Sequence, residues 1–113
     1  MTLRGTSDSG HYFGPDGAEL TLEEWSELFG RRREDMSPES WWRKETAIDA
    51  DVRVSTVWLG LNHSFLPGRR LYWETMIFGG IADQYQCRYG SREEALDDHE
   101  RIVRDLRAGR CPE

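Results

Sequence analysis

Two stretches of the chain, VRVSTVWLGL at 52–61 and LYWETMIF at 71–78, are its most strongly apolar and β-prone runs, and a short loop around Pro67-Gly68 separates them. β-Branched and aromatic side chains at this density fit the pleated surface of a packed sheet. Alternation sends Val52, Val54 and Trp58 to one side of the first strand, and Val57, Leu59 and Leu61 to the other. A strand that is apolar on both faces belongs in the middle of a sheet and needs a cover on each side.

The rest of the chain supplies edges and covers. RKETAID, after Trp41 and Trp42, alternates as an edge strand, and its Lys44 and Glu45 discourage sheet-to-sheet aggregation. QYQCRY at 84–89 alternates Gln84, Gln86 and Arg88 with the less polar Tyr85, Cys87 and Tyr89, which is the mark of a half-buried strand. Ser91 and Glu94 form a capping box ahead of Ala95, Leu96, Ile102, Val103 and Leu106 at helical spacing, and Gly109 and Pro112 end that pattern. Asp97–Arg101 and Glu100–Arg104 are expected as i,i+4 pairs on its outer face.

Upstream, Thr21 and Glu24 form another capping box, before a short helix with Leu22, Trp25, Leu28 and Phe29 on one face and Gly30 as its stop. Arg31, Arg32 and Arg33 follow as a solvated helix exit, with a partner-binding patch as the other reading. Ser37-Pro38-Glu39 reads as one more turn of helix, and Gly14-Pro15-Asp16-Gly17 as a tight turn.

The expected fold is therefore α+β: a four-stranded antiparallel meander packed against a C-terminal amphipathic helix, with a short N-terminal helix. Residues 1–10 are expected to be a flexible tail, and 11–113 a single α+β domain. One helix covers one sheet face. The N-terminal helix, with Trp25 and Phe29, is favoured over a second copy of the protein as the cover for the other.

Length and charge narrow the function. A chain of 113 residues holds a single core. The net charge of −6 is unevenly placed: residues 1–30 carry six acids against Arg4, and 93–113 carry seven against four arginines. Between 51 and 92, five arginines face Asp51, Glu74 and Asp83. This balance favours selective protein contacts and disfavours nucleic acid, whose binding needs many cation–phosphate contacts. Cys87 and Cys111 read as free thiols, and with no Cys/His ligand spacing neither a metal nor another cofactor is expected. The first ten residues lack a hydrophobic signal core and no apolar run approaches the ~20 residues of a membrane span, so no membrane association is expected and the cytoplasm is the expected location.

Polar residues inside the apolar runs are the candidates for chemistry. If the last helix packs on the Tyr72/Glu74/Met76 face, Glu74 and His99 meet in apolar surroundings, where pairing relieves the burial of each. Such a pair is either structural or, with His63 or a metal, an acid/base centre. No nucleophile stands nearby at recognisable spacing, so no catalytic residue is assigned. Asn62 is placed to shape the loop, while His63, Phe65, Arg69 and Arg70 form an aromatic-basic tip of the kind that anchors protein partners.

The runs VSTVWLGLNH, YWETMIFGG and RYGSREEALDDHE resemble a group of small uncharacterised proteins of actinobacteriophages and actinobacteria. Their pattern is VSTVWLGLDH, a Gly/Pro-rich loop, FETMVFGG, then RY…EEAL…H. The resemblance covers about residues 52–100, with Trp58, His63, Glu74, Thr75, Met76, Arg88, Tyr89, Ala95 and His99 at matching positions. The chain departs from the pattern at Asn62, where an acid is usual, and at Tyr72-Trp73; the missing acid weakens a metal site at 62 and 63. The resemblance implies a phage setting, in an infected or lysogenic bacterial host, and no mechanism.

The functional expectation is a non-enzymatic phage-type accessory protein that binds a host protein or its own copy through the hairpin tip and the uncovered sheet face. The alternative is a small-ligand or metal-dependent activity centred on Glu74, His99 and His63. A third reading is weak nucleic-acid binding through Arg53, Arg69, Arg70 and Arg88 with sheet aromatics.

Overall fold

A computed structural model describes residues 11–62, 64 and 69–112. Its elements are α1 (Leu22–Gly30), β1 (Arg43–Ala47), β2 (Arg53–Trp58), β3 (Trp73–Phe78), β4 (Gln86–Tyr89) and α2 (Arg92–Arg107). The strands form one antiparallel sheet in the order β1-β2-β3-β4, so the expected α+β meander is present. The N-terminal stretch expected to be a flexible tail lies outside the described residues.

The register explains the core. On the side that α2 covers, one row across the sheet is Trp42, Trp58, Trp73 and Tyr89. The next is Lys44, Thr56, Thr75 and Cys87, and the third is Thr46, Val54, Ile77 and Tyr85. The interior thus has an aromatic half around Phe13, Trp42, Trp58, Tyr72, Trp73 and Tyr89, and an aliphatic half of Val54, Ile77, Ile102 and Val103. Ala95 of α2 meets the aromatic half. A turn later His99 meets the threonine row, and Ile102 and Val103 then complete the aliphatic half. Period 3.6 on the helix matches the rows beneath it.

The helix therefore lies on the Trp73/Thr75/Ile77 face and not, as the sequence suggested, on that of Tyr72, Glu74 and Met76. The physical reason is solvation. The opposite face carries Arg43, Glu45, Arg53, Glu74 and Arg88, whose charges a packed helix would desolvate. An antiparallel sheet tolerates one wet face.

The N-terminal helix is not the cover for that face either. Its anchors reach the tryptophan end of the covered side: Phe29 lies 5.9 Å from Trp58, Trp25 stacks on Phe29 at 4.7 Å, and Trp25 Nε1 donates to Leu59 O at 3.0 Å. Phe13 O accepts from Trp58 Nε1 at 2.8 Å and Pro15 O from Trp73 Nε1 at 3.1 Å, so each buried indole N–H has a partner. The 14–17 segment is a tight turn, closed by Gly17 N–H on Gly14 O.

Several boundaries differ from the sequence reading. β2 stops at Trp58, because Gly60 adopts φ +77 beneath the indoles of Trp25 and Trp58, which leave no room for a Cβ. Tyr72 and Trp73 share Tyr89 as partner, a bulge that starts β3 late. After Gly30 the chain tightens into a 3-10 turn over Arg31–Glu34 instead of stopping. Ser37-Pro38-Glu39 begins no helix: Pro38 O accepts from Glu45 N–H, so this segment lines the outer edge of β1.

At α2, Ser91 caps Glu94 N–H at 3.0 Å, but the Glu94 carboxylate turns to Gly90 N–H. The expected i,i+4 pairs are replaced as well. Arg101 binds Asp98 at 2.6 Å and Asp105 at 3.2 Å, while Glu100 bonds Lys44 of β1. No helix among the described residues is long and apolar enough to cross a membrane.

Candidate functional site

The candidate residues fall into three groups that the sheet keeps apart. The first lies between sheet and helix. His99 is fully buried, with Nδ1 2.7 Å from Thr56 Oγ1 and Nε2 2.8 Å from Thr46 Oγ1. Thr56 exchanges a second hydrogen bond, at 2.5 Å, with Thr75 on the neighbouring strand. Both ring nitrogens are satisfied by hydroxyls, which donate or accept as the tautomer requires. Burial, with the Lys44 ammonium second, pushes the His99 imidazolium below its ordinary pKa and holds the ring neutral. This is a closed polar layer between two apolar halves of the core.

The second group lies on the other face. Glu74 is nearly buried, its Oε2 is 3.1 Å from Arg88 Nε, and it also accepts from the Gln86 amide. Glu74 pairs in register with Val57 and Arg88, whereas Thr75, its neighbour, faces His99's layer through Thr56. A one-residue step along a strand reverses the face. The expected Glu74–His99 pair therefore does not form, and no acid/base centre is assembled from the two.

Around Glu74 this face continues as matched charges. Glu45 takes Arg43 at 3.5 Å and Arg53 at 3.1 Å, and Arg53 lies 4.6 Å over the Phe78 ring. Val57, Met76 and Phe78 are half-buried between these ions. Of the four arginines proposed for a nucleic-acid surface, Arg53 and Arg88 each hold a carboxylate, and Trp73 and Tyr89 point to the opposite side.

The third group is the hairpin tip. His63 and Phe65 lie outside the described residues. Arg69 is exposed, and its carbonyl accepts from Asn62 Nδ2 at 3.2 Å. Asn62 Oδ1 also takes Ser64 N–H at 2.9 Å and Leu71 N–H at 3.1 Å, the loop-shaping role its sequence position suggested. Arg70 is a clamp: its guanidinium donates to Gly17 O at 3.1 Å and sits 4.8 Å over the Phe13 ring.

A fourth arrangement carried no sequence signal as a site. β4 is an edge strand, and between it and α2 runs an open groove lined by Tyr85, Cys87, Tyr89, Asp97, Asp98 and Arg101. Tyr89 Oη donates to Asp98 Oδ2 at 2.6 Å. Burial and the Asp98 carboxylate both raise the phenol's pKa, so it stays protonated. Asp98 itself is held below the usual carboxylate range: burial raises it, and the bonds from Arg101 and Tyr89 outweigh that effect. Among the described residues no three His, Cys, Asp or Glu side chains come together as a metal cage, and Cys87 and Cys111 are free thiols.

Compared with protein-family models, curated proteins and solved structures, the chain matches none of them.

Proposed function

We propose that this is a non-enzymatic, phage-type accessory protein that acts by binding another protein, either a host protein or a second copy of itself. The observation that carries the reading is the one-sided sheet. One face holds a closed core in which buried His99 is saturated by two threonines, and the other carries half-buried Val57, Met76 and Phe78 among ions that neutralise one another. Apolar side chains framed by matched charges suit a protein contact, because the ions need not be stripped of their partners for the apolar strip to be covered. The resemblance to actinobacteriophage proteins supports the setting.

Light scattering across a range of concentrations, together with cross-linking in a bacterial lysate, tests this reading. A dimer, or a discrete cross-linked species, that is lost in a Met76→Glu variant with unchanged circular dichroism supports it. A monomer that forms no species sensitive to that substitution overturns it.

A further inference from the structure

The two edges of the sheet are not alike. The outer edge of β1 is occupied, with Pro38 O taking Glu45 N–H and Ser40 N–H donating to Arg43 O. Along β4, Ile77 N–H bonds Tyr85 O, which sets the phase of the ladder: Tyr85, Cys87 and Tyr89 turn their backbone groups to β3. Gln86 and Arg88 therefore direct theirs outward, and among the described residues nothing pairs with them. Short, charged edges are commonly blunted by their own side chains. Here the long side chains of Gln86 and Arg88 are drawn onto Glu74 and leave the backbone accessible.

We propose that the β4 edge accepts an extended peptide segment with basic side chains at alternate positions, added to the sheet as a fifth strand. The proposal rests on reading the protein as a binding module and names a site and a partner chemistry for it. Backbone pairing with Gln86 and Arg88 supplies the contact common to strand addition, and alternate side chains enter the groove beneath α2. That groove selects for charge. Asp97 is exposed and holds no ion pair among the described residues, and Glu94 lies beside it. Arg101, the one cation there, is already bound by Asp98 and Asp105. A cationic side chain beside Cys87 thus meets uncompensated carboxylates, whereas a second copy of β4 would bring its own Asp97 and Asp98 towards them.

The test uses two fluorescent nine-residue peptides, one alternating Arg and Val and one alternating Glu and Val, titrated into the intact protein, with amide exchange at Gln86 and Arg88 as the structural readout. The Arg/Val peptide should bind and slow exchange at both amides, and the Glu/Val peptide should do neither. Asp97→Lys should weaken binding about tenfold, equivalent to one charge contact. Arg88→Pro removes an outward N–H and also the cation on Glu74, so it is compared with Arg88→Ala at unchanged circular dichroism: Arg88→Pro should abolish binding and Arg88→Ala should keep it.

Equal binding of both peptides, binding without amide protection, no binding, or full affinity in the Asp97→Lys variant each overturns the proposal. Protection that appears without peptide and grows with protein concentration assigns the edge to a second copy, which also overturns it. None of these results touches the Met76→Glu comparison, so the binding-module reading stands or falls separately.

Discussion

The Nδ1 of His99 sits 2.7 Å from the hydroxyl of Thr56, on the far side of the sheet from Glu74. One register step separates a buried histidine that is structural from one that would have shared a site with a carboxylate.

The buried neutral ring makes stability depend on pH. Above the unfolded value of 6.5 both states leave His99 uncharged and its contribution is complete. As pH falls below that value the unfolded chain takes up a proton that the folded one resists, so stability drops until the depressed folded pKa is passed. Melting curves between pH 7.5 and 5 should show the loss, at most about 1.4 kcal/mol per pH unit from this residue. His99→Gln should flatten the slope; an unchanged slope would show that the ring is charged or exposed.

The two threonines that flank His99 should not be equivalent. Thr56 is fully buried and bonded to both His99 and Thr75, so Thr56→Val leaves two buried polar groups short of a partner and should cost about 1–3 kcal/mol. Thr46 is only half-buried and its hydroxyl bonds His99 alone among the described residues, so Thr46→Val orphans one buried nitrogen instead of two groups and should cost about 1 kcal/mol. Urea midpoints rank the two variants, and the reverse order would contradict this account.

Glu74 and His99 should be energetically independent. Glu74→Gln takes a nearly buried carboxylate from the half-exposed Arg88, a loss of about 1–2 kcal/mol. Combined with His99→Gln, the losses should add to within about 0.5 kcal/mol, as they do for sites with no shared partner. A larger coupling in a double-mutant cycle would mean that the two groups sense each other.

Two glycines should respond in opposite directions. Gly79 has φ +92, and a Cβ there would sit 1.9 Å from Asp51 O, so Gly79→Ala forces a backbone shift and should destabilise by at least ~2 kcal/mol. At Gly30 a Cβ meets nothing within 4 Å, and Gly30→Ala should be neutral or stabilising by up to about 1 kcal/mol. Thermal melts of the pair check both signs.

The four strands and the closing helix were legible because their periods are unbroken: Val54, Thr56 and Trp58 alternate, and Ala95, His99, Ile102 and Val103 recur at helical spacing. Which face of β3 the helix takes was not legible. Tyr72, Met76 and Phe78 look as apolar as Trp73, Thr75 and Ile77, and only the ions contributed by β1, β2 and β4 to the Glu74 side decide the matter. Thr56 and Thr75 read as ordinary strand threonines. Their one signal was a polar position at the centre of each apolar run, opposite one another in an antiparallel register. The open edge of β4 is a property of the whole ladder, so no local pattern announces it.

The aromatic half of the interior has a spectroscopic corollary. All five tryptophans lie in or against it, and none lies among Val54, Ile77, Ile102 and Val103. Indole emission therefore watches one end of the molecule, and a fraying that begins at the valine–isoleucine end would pass unseen by fluorescence while far-ultraviolet dichroism from the last turns of α2 registered it.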